Sequence, residues 1–310
     1  MSAATATSPT TTMQSASFAP PTVVRVECPA KTNLTLNVGA PKEEWGGRHR
    51  LDTIYCAVGI YDTVTLTQKA PGSGFSLDIS GAHLGDLAHS QTDMRRNHAV
   101  QALFAMSQAA ERSTDVGINL LKRIPVGAGL GGGSSDAAGT ILGLNTLWNL
   151  HWPLERLQEI AATLGADMPF CLSGGLARGT EYGQRIEVLK PPYDGVDGTL
   201  LGRMVVGAYN TQLSTPQVYR TFDQIGSDRS HANKLQKAAV YLLPRSGEAI
   251  EYALNAGATA AFVSGSGPSV VACAPDAATA ASISQLWTTR RCVDRLFETT
   301  APVTPSVTIL

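Results

Sequence analysis

A chain of 310 residues is long enough for one large or two ordinary domains, and 43% hydrophobic against 16% charged residues is the composition of packed protein, not of a disordered or coiled-coil chain. A net charge of -1 lacks the basic excess of a nucleic-acid binder, and no run approaches the roughly 18 apolar residues of a membrane span. The five cysteines, Cys28, Cys56, Cys171, Cys273 and Cys292, are widely spaced and form no CxxC pair or Cys/His cluster, which reads as reduced thiols in a cytoplasmic enzyme.

Residues 1–20 are rich in Ser, Thr and Ala and contain no Lys or Arg, so they are no secretory signal. A disordered tail is expected there. The first arginine is Arg25, against a mitochondrial presequence, while a plastid transit peptide stays open as the alternative. Structure is expected from about Val23. Leu34, Leu36 and Val38 alternate with Thr35 and Asn37 as in a half-buried strand, and further strands are expected at 51–58 and 63–67. Asn97 to Ala110 carries Val100, Leu103, Phe104 and Met106 at helical spacing. Val116 to Leu121 is β-rich and runs into Pro125.

The segment Pro125-Val126-Gly127-Ala128-Gly129-Leu130-Gly131-Gly132-Gly133-Ser134-Ser135-Asp136 follows. Its glycines let the backbone approach an anion, successive N–H groups form a nest, and a helix expected near Ser135 adds its positive end. Ser134 or Ser135 is placed to cap that helix, and Asp136 to sit in its first turn. Ile141, Leu144, Leu147 and Trp148 give the helix an apolar face. A second helix is expected from Pro153 to Leu164, stopped by Gly165, with a turn at Asp167-Met168-Pro169. Because helix follows helix, the GxGxxG spacing at Gly127 is no dinucleotide fingerprint, which requires a βαβ unit. The P-loop pattern also fails, having Gly133 where its lysine belongs. A cation must then come from elsewhere, and Lys31 is the leading candidate.

Lys190 to Gly198, rich in Pro, Gly and Asp, is the expected boundary between domains at 21–190 and 191–310. Beyond it, a strand is expected at 204–209, helices near 215–222, 232–243 and 247–255, two short strands around Ser264-Gly265-Ser266-Gly267-Pro268, and a helix at 277–289. Strands and helices without regular βαβ alternation argue an α+β chain of two domains.

The glycine segment resembles the phosphate loop of the GHMP kinases. Pro29-Ala30-Lys31-Thr32-Asn33-Leu34 is similar to that family's N-terminal segment, and Ser264 to Val270 to its C-terminal glycine motif, in the same order along the chain. Leu164-Gly165-Ala166-Asp167-Met168-Pro169 and Ser214-Thr215-Pro216 through Tyr219 are most similar to the branch acting on 4-diphosphocytidyl-2-C-methyl-D-erythritol. The resemblance implies a ribosomal-protein-S5-like N-terminal domain that binds ATP, a ferredoxin-like C-terminal domain that binds substrate, and a cleft between. It implies Mg²⁺ with the ATP, though no protein ligand of the metal is assigned, and a monomer or homodimer whose one partner is its small-molecule substrate.

Two groups are needed beside an acceptor hydroxyl, one for its proton and one for the developing negative oxygen. The resemblance places Asp167 and Lys31 there; the plainer readings are a turn aspartate bonding local amides and a solvated lysine. It adds Asn33, His49, Tyr219, Gly265, Ser266 and Gly267 on the substrate side, and Asn97 near the adenine or ribose. Arg48 stands where the family has an aromatic that stacks on cytosine, and its planar guanidinium is expected to stack instead. Trp45, Trp148, Trp152 and Trp287 are expected in the core or at interfaces. The alternatives are a homoserine- or mevalonate-type kinase and a non-catalytic sensing homologue. The latter should have lost Lys31, Asp167 or the glycine loop.

Overall fold

The structure is a computed structural model describing residues 22–82, 84 and 94–310; the tail expected at 1–20 lies outside the described residues. Its first half is built on a long antiparallel pair, β1 (Val23–Lys42) and β2 (Arg48–Gln68). In β1, Val24, Val26 and Cys28 are buried while Arg25 and Glu27 alternate outward, the period-two pattern of a sheet covered on one face. The sheet has seven strands, in the order β11-β1-β2-β4-β3, with β5 pairing β2 and β6 pairing β5. These are β3 (Ser76–Gly81), β4 (Val116–Lys122), β5 (Leu176–Thr180), β6 (Arg185–Leu189) and β11 (Ser306–Ile309). Helices α1 (His98–Ala110) and α2 (Gly132–Leu147) cover its inner face, packing Val100, Leu103, Met106, Ile141 and Leu144 on Val26, Val64, Leu66, Ile118 and Leu120. Two further helices, α3 (Leu154–Leu164) and α4 (Met168–Ser173), close this core.

The second half is a four-stranded sheet in the order β10-β7-β9-β8. Its chain order is β7 (Gly202–Ala208), helices α5 (Thr215–Ile225), α6 (Gln236–Leu242) and α7 (Pro244–Asn255), β8 (Ala260–Val263), β9 (Val270–Ala274), α8 (Ala277–Arg290) and β10 (Arg295–Ala301). This is the βαββαβ order of a ferredoxin-like domain, so the expected two-domain α+β architecture holds. Trp287 is fully buried there and donates from Nε1 to Ala249 O at 2.8 Å. A third apolar cluster, including Leu34, Val58, Leu130, Val206 and Phe262, lies between the two sheets and fixes their relative placement. Backbone bonds from Leu36 N to Ala232 O and from Lys234 N to Leu36 O, both 2.9 Å, tie β1 into the second half.

Several sequence expectations are corrected. The runs at 51–58 and 63–67 are one strand, because Tyr61 and Asp62 pair with Pro29 and Cys28 while Gly59 and Ile60 are taken up in the register shift at Pro29/Ala30. Lys31 lies within β1, just past that register shift. Helix α2 starts at Gly132, so neither Ser134 nor Ser135 caps it and Asp136 lies beyond its first turn. Pro153 is the N-cap of α3 and not its first residue. Asp167-Met168-Pro169 opens the short helix α4. Strand β11 returns to pair with β1, so the last residues join the first sheet.

Candidate active site

Lys31 and Asn33 sit two residues apart on β1, and cross-strand pairing sets Asn33 opposite Tyr55 of β2. Lys31 Nζ lies 3.2 Å from Asp167 Oδ2 and donates to Asn33 Oδ1 at 3.1 Å. Asn33 in turn donates to Thr53 Oγ1 at 2.7 Å, and Thr53 to Thr35 O at 2.6 Å. The lysine is therefore oriented by a chain of side chains and not left to solvent. Asp167 is the N-cap residue of α4, yet its carboxylate makes no capping bond. It accepts instead from Tyr55 Oη at 3.0 Å and pairs with Lys31. A turn aspartate bonding local amides would look different. The Asp167 side chain remains 33% exposed against 7% for Lys31, so it is the member of the pair open to a bound molecule.

The glycine loop runs from β4 into α2 beside this pair. Lys31 N donates to Leu130 O at 2.9 Å, and a Cβ on Gly131 would come within 2.7 Å of the Lys31 side chain. The turn at Ser264–Gly267, between β8 and β9, clamps the other side. Ser269 N donates to Ala128 O at 3.2 Å and Ser264 Oγ to Gly129 O at 3.0 Å. Gly129 has φ +79°, and a Cβ there would stand 2.5 Å from Ser264 O, so only glycine lets the two loops meet. These bonds hold two loop carbonyls against the second domain. The loop and the start of α2 then present a nest and a helix end suited to phosphate. Asn233, buried and not foreseen from sequence, supports the turn by donating to Val263 O and Gly265 O, each at 2.7 Å.

Both loops and the pair face one cavity of about 1040 Å³ between the two domains. Of the expected residues, Lys31, Asn33, Arg48, His49, Asn97, Pro125 to Gly129, Gly131 to Ser134, Asp167, Tyr219, Gly265 and Ser266 line it. Leu130, Ser135 and Gly267 lie behind the wall. Leu130 is a core residue, Ser135 donates its hydroxyl to Pro29 O at 2.7 Å, and Gly267 packs on Val263. Asn97 caps α1, its side chain accepting from Ala99 N at 2.9 Å, while reaching the cavity edge.

At the far end His49 donates from Nδ1 to Gly39 O at 2.8 Å, with Nε2 3.5 Å from Asp223 Oδ1. Its ring lies 5.0 Å from that of Tyr219, tilted by 31°. Burial first, and the nearby charge of Asp167 second, push the Tyr219 phenol above its ordinary range, so the aromatic end is within electrostatic reach of the pair. The Arg48 guanidinium is 4.9 Å from the ring centre of Tyr182, which also lines the cavity. Tyr182 was not foreseen, having no neighbouring motif. Trp45 lies 5.9 Å from Tyr182, and Trp148 and Trp287 are core residues.

Beneath the loop lies a buried charge cluster that sequence reasoning missed. Lys122 donates to Asp62 and to Asp136, and all three side chains are almost fully buried. Burial alone would lower the Lys122 ammonium, but Asp136 and Asp62 outweigh it and raise it. Burial pushes Asp136 up to about 7 against the pull of Lys122. Asp136 Oδ1 has no hydrogen-bond partner. His98 lies against Gly133 and is pushed down, chiefly by burial. Among the described residues no group of three or more His, Cys, Asp or Glu could hold a metal ion, and no helix is long and apolar enough to cross a membrane.

Residues 97–175 match the model of the GHMP kinases N terminal domain, and 222–292 that of the GHMP kinases C terminal domain. A protein of Bifidobacterium adolescentis named 4-diphosphocytidyl-2-C-methyl-D-erythritol kinase is 63% identical over 290 residues, covering 92% of this chain and 94% of its own. One of Streptomyces coelicolor with the same name is 35% identical, covering 84% of this chain and 91% of its own. Among solved structures, a 4-(cytidine 5'-diphospho)-2C-methyl-D-erythritol kinase is 28% identical with a TM-score of 0.68, covering 90% of this chain and 99% of its own. A homoserine kinase from Cytophaga hutchinsonii reaches a TM-score of 0.69 at 17% identity, covering 96% of this chain and 100% of its own, a likeness of fold alone.

Proposed function

The chain belongs to the GHMP kinases, and on that premise we propose that it transfers the terminal phosphoryl group of ATP to the 2-hydroxyl of 4-diphosphocytidyl-2-C-methyl-D-erythritol, releasing ADP. The observation that carries the reading is the Lys31–Asp167 pair, 3.2 Å apart, between a phosphate-accepting loop and an aromatic, histidine-bearing end of one cavity. Phosphoryl transfer passes through a loose transition state in which positioning and charge stabilisation do most of the work. The glycine loop and the start of α2 hold the phosphates. Asp167 takes the proton of the acceptor hydroxyl, and Lys31 stabilises the negative charge on the oxygens around the transferred phosphorus. The aromatic end takes the base: His49, Tyr219 and the Arg48–Tyr182 cation–π pair present flat and hydrogen-bonding surfaces suited to cytosine.

The side chains of the described residues do not build a dedicated metal cage, and Asp136, although it reaches the cavity wall, has one oxygen bonded to Lys122 and the other buried without a hydrogen-bond partner. Mg²⁺ is accordingly proposed as the companion of ATP, held by phosphate oxygens and water, where it would neutralise phosphate charge. A cytoplasmic monomer or homodimer, with no nucleic-acid partner, completes the proposal.

The test is ADP release with Mg²⁺–ATP and four separate acceptors: the cytidine diphosphate methylerythritol, mevalonate, homoserine and galactose. Turnover of the first alone, abolished by Lys31→Ala and by Asp167→Asn, is the expected result. Turnover of another alcohol in its place would overturn the substrate and keep the kinase. ATP binding without turnover of any would favour a sensing protein, a reading against which Lys31, Asp167 and an intact loop all stand.

A further inference from the structure

Tyr55 is absent from every motif the sequence offers, yet it touches both members of the catalytic pair. Its hydroxyl donates to Asp167 Oδ1 at 3.0 Å, and Lys31 Nζ lies 5.7 Å from its ring centre. The ring is 1% exposed and held on all sides. It stacks on Phe170 with centroids 4.9 Å apart and planes 18° from parallel. Phe170 lies on α4, three residues beyond Asp167, so the stack fixes the helix whose N-cap residue presents the carboxylate. On the other side the chain leaves room: a Cβ on Gly179 would come within 2.5 Å of the ring, and one on Gly183 within 2.6 Å of the hydroxyl. The slot is therefore shaped for a tyrosine including its oxygen.

We propose that Tyr55 is a positioning residue for phosphoryl transfer, its hydroxyl holding Asp167 Oδ1 so that Oδ2 faces Lys31 and the acceptor. The inference rests on the reading of Asp167 as the base. A carboxylate at the head of a short helix has nearby amide donors to turn to. Asp167 makes no such capping bond, and Tyr55 is the donor that holds its second oxygen away from them. The phenol is suited to the role at any working pH. Burial first, then the charge of Asp167, push it well above its ordinary range, so it stays a donor and never competes for the acceptor's proton. Sequence could not show this, because the bond joins residues 112 apart.

The test is Tyr55→Phe, which keeps ring, stack and volume and removes one oxygen. Hydrogen bonds to charged groups are the stronger class, and loss of this one is expected to lower kcat about 10-fold. KM for ATP and for the alcohol should stay within about twofold, and the melting temperature within about 3 °C. A structural role would instead lower stability, or shift KM and kcat together. Unchanged kcat in a folded Tyr55→Phe enzyme overturns the proposal. The same substitution is then made in an Asp167→Asn background. A residue that acts through Asp167 costs nothing further there, and a second 10-fold loss overturns the proposal by placing the action of Tyr55 elsewhere. The two readings separate cleanly. If Asp167→Asn alone keeps full kcat, the base assignment fails and the positioning claim with it. If Asp167→Asn is inactive and Tyr55→Phe is fully active, only the positioning claim fails.

Discussion

Replacing Lys122 by Met tests whether the buried charge cluster holds the phosphate loop in place. The wild-type side chains of Lys122, Asp62 and Asp136 are 2%, 0% and 6% exposed, so neither carboxylate can turn to water when the ammonium is removed. Removing one partner of a buried pair typically costs about 3–5 kcal/mol. Asp62 keeps the backbone donors Arg123 N and Ile124 N, which moderates its share. Asp136 already has one oxygen without a partner and would lose its main one. We expect a loss of about 4 kcal/mol at pH 7, or about 8 °C in melting temperature at roughly 2 °C per kcal/mol for a chain of this size. The dependence on pH has a definite sign. A carboxylate raised to about 7 from an ordinary 3.8 contributes stability that is complete below the unfolded value and is lost as pH rises through the folded one. Without Lys122 its folded value rises further, so the gap between variant and wild type must narrow on acidification from pH 8 to pH 5. Adding Asp136→Asn to Lys122→Met should recover part of the loss at pH 7. Urea denaturation across that range is the assay. A Lys122→Met protein within 1 kcal/mol of wild type at pH 8, or a gap that widens toward acid, would refute the reasoning.

Three further outcomes follow from the site. Asp167→Asn should lower kcat by about 10²–10⁴-fold with ATP still bound, the range of a general base; steady-state kinetics beside an ATP-binding titration checks both halves. Gly129→Ala adds a Cβ 2.5 Å from Ser264 O at φ +79°, so it must part the loop from the second domain. With about 1–2 kcal/mol of left-handed strain added, KM for ATP should rise at least 10-fold, and an unaltered KM would mean the clamp is dispensable. Arg48→Ala should raise KM for the cytidine substrate several-fold and leave that for ATP within twofold; equal KM values would remove Arg48 from base recognition.

The parts of the fold that sequence made legible are those with a strong local signal. Helix α1 was found to within a residue because its apolar residues recur at helical spacing, and α8, expected at 277–289, runs from Ala277 to Arg290 behind an N-cap bond accepted by Asp276 that the sequence reading did not use. Strands β5, β6 and β11 were missed for physical reasons. Residues 176–180 alternate weakly and include Arg178 and Gly179. Strand β6 faces solvent along much of its length, and all four residues of β11 are exposed. An edge strand held by main-chain bonds leaves little trace in side-chain pattern. The start of α2 was misplaced because serine is the usual cap, whereas here Gly131 in a left-handed conformation makes the turn and Ser135 is spent on Pro29 O.

The site divides along the same line. The glycine loop carries its chemistry in neighbouring residues, whereas Lys31 and Asn33 were named on the resemblance of their segment to the family's, and the structure places all three at one cavity. The plainer reading of Asp167, a carboxylate satisfied by its own turn, could be settled only by finding where its oxygens go. They go to Lys31 and Tyr55, 136 and 112 residues away in the chain, and to no amide of α4 as a cap. An aspartate at a helix start that makes no capping bond, and is held by two side chains from a distant sheet at a cavity wall, fits the part of base proposed for it. Lys122 gives the complementary case. A lysine as deeply buried, and nearer the loop's helix, would pass for the phosphate cation on proximity alone. Its bonds to Asp62 and Asp136 hold it in that cluster although it too reaches the cavity wall, and Lys31, paired with Asp167, is the cation proposed to face the transferred group.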